Sequence, residues 1–89
     1  MNKDFDSLRG RLKEMSFPSV YMFKFIVKTD LQKIAQIEAL FQSDKAEIIR
    51  KESSKGAFIS ITVREVMFSA DEIIGVYQEV SKIEGVITL

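Results

Sequence analysis

A strand-like run, a capped amphipathic helix and a second strand-like run follow one another twice in this chain, and that repeat limits the fold more than any other feature. In the first half, residues 20–28 are rich in β-branched and aromatic side chains and read as a strand. Thr29 and Gln32 form a T-x-x-Q capping box, and Leu31, Ile34, Ile37, Leu40 and Phe41 follow at helical spacing, which predicts a helix over 30–42. Residues 46–52 read as a second strand. After a turn at Ser53-Ser54-Lys55-Gly56, residues 57–66 alternate, with Ile59, Ile61 and Val63 set against Phe58, Ser60, Thr62 and Arg64. Ser69 and Glu72 form a second capping box, opening a helix with Ile73, Ile74, Tyr77 and Val80 on one side. Gly85 precedes a last short strand, residues 86–89.

The order β-α-β-β-α-β admits few topologies. Right-handed crossovers bring the two ends of each strand–helix–strand unit into parallel pairing, and two such units joined by a hairpin give the split βαβ plait. The expected class is therefore α+β: a two-layer ferredoxin-like plait, with an antiparallel four-stranded sheet, two helices on one face, and the first and third strands central. Ahead of it, Phe5, Leu8, Leu12 and Met15 fall at helical spacing and predict a short N-terminal helix. Pro18 disfavours helix at Phe17, so the division expected is a leader over 1–16 and one domain over 17–89.

Size makes a dense core necessary. A chain of 89 residues buries only about 60–65% of its unfolded surface. The 46% of hydrophobic residues, seven phenylalanines among them, supply that core. Lys plus Arg and Asp plus Glu number 13 each, so the net charge is zero and exerts no long-range pull on nucleic acid or an anionic membrane. The chain has neither cysteine nor histidine, which removes disulfides, thiol nucleophiles, zinc–thiolate sites and imidazole acid–base chemistry together. No cofactor and no metal are expected. The charged N-terminus has no apolar run behind it and no stretch approaches the ~20 residues that span a bilayer, so the compartment expected is the cytoplasm, with no membrane partner.

Parity divides the sheet residues between two faces. On the first strand, Tyr21, Phe23, Phe25 and Val27 should meet the helices, leaving Val20, Met22, Lys24, Ile26 and Lys28 outward. On the third, Ile59, Ile61 and Val63 go inward. The open face then mixes Met22, Ile26 and Phe58 with Lys24, Lys28 and Arg64, and such apolar centres with cationic edges can mark a contact surface. The plainer expectation is that the leader helix covers part of this face through Phe5, Leu8 and Leu12.

Other motifs have simpler explanations. Ser54, Lys55 and Gly56 could hold an anion with hydroxyl, ammonium and turn amides, yet a hairpin alone calls for such residues. Lys55-Gly56-Ala57-Phe58-Ile59 resembles weakly the third-strand motif of RNA-recognition domains, but the second stacking aromatic is missing and Tyr21 falls on the buried face. Single-stranded RNA binding through the open face is thus the alternative reading, with nucleic acid disfavoured. An acylphosphatase-like enzyme would need an arginine cradle and a water-positioning amide, and the one asparagine is Asn2. Asp71 and Glu72 are accounted for by the helix dipole and the capping box. No enzyme is expected.

Phe17-Pro18 opening a strand, Ser-Ser-Lys-Gly-x-aromatic at 53–58, then Tyr77 with Lys82-Ile83-Glu84-x-Val86 and a terminal Leu89, resemble the YbeD-like family of small bacterial proteins. The resemblance covers about residues 17–89. It implies a ferredoxin-like plait similar to ACT regulatory domains and a bacterial cytosolic protein, and it implies no activity and no site residues. The function expected is a non-enzymatic regulatory or adaptor domain that binds a small ligand or a protein partner through the open face or the edge of the second strand, or that pairs with itself as a homodimer through that face or a strand edge.

Overall fold

The computed structural model describes residues 3–42 and 44–89. Its elements are α1 (Lys3–Leu12), β1 (Ser19–Lys28), α2 (Leu31–Glu38), β2 (Glu47–Glu52), β3 (Phe58–Met67), α3 (Ala70–Val80) and β4 (Ile87–Thr88). The strands form one sheet in the order β2-β3-β1-β4, with β1 and β3 central. Every neighbouring pair is antiparallel. The strands of each strand–helix–strand unit are therefore split rather than paired: β3 lies between β1 and β2, joined to β2 by a short hairpin. Among the described residues this is the α+β plait that the pattern predicts.

The core forms where the inward side chains of the two central strands meet the helices. Phe23, Phe25 and Val27 of β1 and Ile59, Ile61 and Val63 of β3 are buried with Ile34 and Ile37 of α2 and Ile73, Ile74 and Val80 of α3 in one cluster. Each fully buried side chain of this size contributes about 1.5–3 kcal/mol. Aromatic rings hold its centre: Phe23 lies 5.2 Å from Phe41 and 5.4 Å from Tyr77, centroid to centroid.

Local chemistry sets the helix ends, and here the structure departs from the pattern. The N-cap of α2 is Asp30, whose carboxylate accepts from the backbone N–H of Gln32 at 2.9 Å and of Lys33 at 3.3 Å. Aspartate is the stronger cap. Thr29 instead donates its hydroxyl to the Gly56 carbonyl at 2.7 Å, tying the end of β1 to the β2–β3 hairpin. α2 stops at Glu38, short of the expected Gln42, and tighter turns carry Leu40 and Phe41 onward, leaving Phe41 in the core. Leu31 does not join it: at 84% exposure it points to solvent from the first turn. At α3 the Ser69 hydroxyl caps as expected, accepting from the Glu72 N–H at 3.1 Å, while the Glu72 carboxylate reaches one residue further back and accepts from the Phe68 N–H at 2.9 Å.

The leader helix forms but does not lie on the open sheet face. α1 packs against α3, burying Leu12 in the core with Phe5 and Leu8 beside it, and Arg9 makes an ion pair with Asp71 in the first turn of α3. On the helix layer the apolar stripe of α1 joins the core cluster itself, whereas the outer face interleaves its apolar side chains with cations. That outer face is left uncovered by α1. No helix among the described residues is long and apolar enough to cross a membrane.

Candidate functional site

The register places the outward residues in cross-strand rows. Met22 stands opposite Arg64, Lys24 opposite Thr62, Ile26 opposite Ser60 and Lys28 opposite Phe58. β2 adds Glu47 beside Arg64, Ile49 beside Thr62 and Lys51 beside Ser60, and β4 adds Ile87 beside Ile26. Val20 and Val66 close the far end as a direct pair. All five of the expected contact residues, Met22, Lys24, Ile26, Phe58 and Arg64, thus share one face, though not one patch. Val20, Met22 and Val66 form an apolar group at one end, and Ile26, Phe58 and Ile87 another about 13 Å along β1, with Lys24, Thr62 and Arg64 between them.

Two quantities distinguish this face from ordinary surface. Val20, Met22, Ile49, Phe58, Val66 and Ile87 are between 42% and 59% exposed, and they make up six of the nine large apolar side chains exposed among the described residues. Lys24, Lys28, Lys51 and Arg64 oppose the single carboxylate of Glu47, so the face carries +3 on a chain whose total is zero. The Arg64–Glu47 separation is 3.8 Å in an exposed setting, a pairing that contributes little to stability. Beside Phe58, a shallow hollow of about 230 Å³ is lined by Ile26, Lys51, Ser53 and Ser60, with Glu52 of the β2 end at its margin.

Ser54, Lys55 and Gly56 sit at the tip of the β2–β3 hairpin, away from the middle of the face. The turn engages its own polar groups. The Gly56 N–H donates to the Ser53 carbonyl at 2.9 Å, the Ser53 hydroxyl accepts from the Phe58 N–H at 3.2 Å, and the Gly56 carbonyl takes the Thr29 hydroxyl. Gly56 has φ +72°, the left-handed conformation that the turn requires and glycine adopts without strain.

One titratable group escaped the sequence reading. The inward alternation Ile59, Ile61, Val63 continues to Glu65, which places a carboxylate on the helix side of a central strand. Burial pushes the Glu65 carboxyl above its ordinary range. A hydrogen bond from the Gln42 backbone N–H opposes that shift, Glu72 and Asp44 reinforce it and Lys45 counters it. Glu65 lines a cavity of about 610 Å³ with Leu40, Met67, Phe68 and Val76. A charged residue at an inward-parity position was the available signal.

Two comparisons place the chain among known proteins. Residues 13–89 match the family model described as "Protein of unknown function (DUF493)". A "UPF0250 protein" of Shewanella halifaxensis is 35% identical over 75 residues, covering 81% of this chain and 85% of the relative. A "UPF0250 protein" of Shewanella oneidensis is 33% identical over 91 residues, covering 97% of this chain and 94% of the relative. No solved structure matches the chain. The match over 13–89 takes in the whole sheet and both helices of the plait, and the chain belongs to the DUF493 family of small bacterial proteins.

Proposed function

We propose that this protein is a non-catalytic adaptor or regulatory module of the cytoplasm, and that its outer sheet face docks a protein partner presenting apolar residues with acidic neighbours. The observation that carries the reading is the coincidence on one face of six exposed apolar side chains and a local charge of +3. Single exposed apolar residues are ordinary, whereas their collection on one uncovered sheet marks a contact surface. The charge selects the partner. Two copies stacked through this face would bring like charges together, so it suits an acidic surface better than a second copy.

RNA is the weaker reading of the same face. A base-stacking platform needs several exposed rings, and here Phe58 is the one outward aromatic of β1 and β3, since Phe23 and Phe25 are buried against the helices and the Tyr21 hydroxyl bonds to Tyr77 on that side.

Selection of peptides from a random display library against the full-length protein, followed by amide-shift mapping of the winners, tests the proposal. It expects winners rich in acidic and apolar residues, shifts on the outer residues of β1 and β3, and loss of binding in the Phe58→Asp, Ile26→Asp pair. Winners that map to the helix layer, or binding untouched by the pair, would sink it. A uridine oligonucleotide that moves the same residues, with affinity falling steeply in salt, would put the RNA reading in its place.

A further inference from the structure

β1 is central by order, yet half of it is an edge. β4 meets β1 only at Phe25 and Ile26, and the Leu89 N–H adds one bond to the Lys24 carbonyl at 3.0 Å. In an antiparallel pair each residue directs its N–H and C=O to the same side, and sides alternate along the strand. Lys24 and Ile26 therefore bond toward β4, and by the same alternation so do Val20 and Met22, while Tyr21 and Phe23 bond toward β3. Among the described residues no strand lies against the β4 side of β1 between Ser19 and Phe23. The N–H and C=O groups of Val20 and Met22 form an open ladder that continues the line of β4.

The ground beside that ladder is shaped. On the helix side, where the side chain of Tyr21 points, a cleft of about 760 Å³ is bounded by Phe5 and Leu8 of α1, Arg11, Tyr21, Tyr77 and, after α3, Glu84. A strand laid in line with β4 would alternate its side chains, the inward ones entering this cleft and the outward ones lying beside Met22 and Val20. Apolar side chains suit Phe5, Leu8 and the tyrosine rings, and a carboxylate suits Arg11.

We infer that the exposed half of β1 is a strand-addition site for an extended segment of a partner protein, antiparallel to β1, with apolar residues at alternate positions and an acidic residue at the Arg11 end. Main-chain bonds to Val20 and Met22 supply the attachment, and the cleft selects the inward side chains. The site borders the outer face at Val20 and Met22 but is attached differently, through the backbone groups of those two residues and, in the cleft, through side chains on the opposite side of the sheet.

Amide hydrogen exchange followed by NMR on the full chain reads the ladder residue by residue. The free protein should show fast exchange at Val20 and Met22 between slow neighbours at Tyr21 and Phe23. The probe is a synthetic capped peptide alternating valine and threonine, with aspartate toward Arg11. In parallel the full chain is extended past Leu89 by about five residues of the same pattern, which removes the entropy cost of association. Both should slow exchange at Val20 and Met22 by at least about tenfold, and Arg11→Gln should weaken the free peptide roughly threefold. A peptide methylated on the amides that face β1 should not bind. Slow exchange at Val20 and Met22 in the unbound protein, protection appearing on β2 instead, or no protection from the tethered strand would each overturn the inference. Loss of outer-face binding through Phe58→Asp with Ile26→Asp would leave this result unchanged, so the two proposals fail separately.

Discussion

The hydroxyls of Tyr21 and Tyr77 meet at 3.1 Å, joining β1 to α3 at the margin of the aromatic core. Burial first, and the hydrogen bond and charge of Tyr21 second, hold the Tyr77 hydroxyl above the ordinary tyrosine range. A folded-state pKa raised in this way leaves stability intact below about pH 10, where the unfolded chain keeps its tyrosines neutral, and removes it as pH rises toward the folded value. Urea melts above pH 10 should show the native protein losing stability faster than Tyr77→Phe. A double-mutant cycle with Tyr21→Phe at pH 7 should give a coupling of about 0.5–1.5 kcal/mol.

Glu65 gives the second pH dependence, at the acid end. Its raised folded pKa means that its contribution is most favourable below the unfolded glutamate value of about 4.3 and is lost as pH climbs through the folded value. Glu65→Gln keeps an acceptor for the Gln42 N–H and removes the charge. The variant should be more stable than the native protein at pH 7, with the difference closing below about pH 4, as read by denaturant midpoints at the two conditions. Equal midpoints at pH 7 would contradict the desolvation argument.

Helical spacing alone assigns Leu31 and Phe41 to the same apolar stripe, and the structure separates them. Leu31→Ser should change stability by less than about 0.5 kcal/mol. Phe41→Ala, which empties a site 7% exposed against Phe23 and Phe25, should cost about 3–5 kcal/mol, enough to unfold much of so small a domain. Thermal melts of the two variants check the contrast directly.

Asp30 and Thr29 sit side by side with different tasks. Asp30→Ala should cost about 1 kcal/mol by uncapping α2 and lower its helical signal in circular dichroism. Thr29→Val should leave the helix signal alone and loosen the hairpin, seen as faster exchange at the Gly56 amide.

Gly56→Ala meets no neighbouring atom within 4 Å, so its cost is conformational. Placing a Cβ at φ +72° should destabilise by about 1–2 kcal/mol. A larger loss in the melt would point to a contact that the open surroundings of this turn do not contain.

Much of the architecture was legible because several local signals agreed. Strand alternation, the Ser69–Glu72 capping box and the Gly56 turn each specify their element within a few residues, and two such halves leave few topologies. The details that were not legible depend on competition or on distance. Thr29 and Asp30 are both good caps, and the nearby Gly56 carbonyl draws the threonine away. Leu31 and Ile34 are equivalent by spacing, and only the docking angle of α2 decides which one meets the sheet. The outer face could be listed by parity along β1 and β3. Ile49 and Ile87 joined it only through the registers of β2 and β4, which long-range pairing sets. The destination of α1 depends on an apolar surface that exists only after the plait has formed.

The brevity of β4 has a consequence for how the chain behaves when concentrated or half-folded. From Val20 to Val27 the chain holds eight residues with one charge, Lys24, and otherwise only β-branched, aromatic or thioether side chains. That composition is the signature of segments that stack into cross-β fibrils. In the folded protein, half of this segment already shows a bare backbone edge. Lys24 stands at its middle as the residue that opposes in-register stacking, since identical strands would align the ammonium groups at about 4.8 Å. Replacing Lys24 with a neutral residue would remove this barrier to fibrils from the stretch of the chain most prone to them.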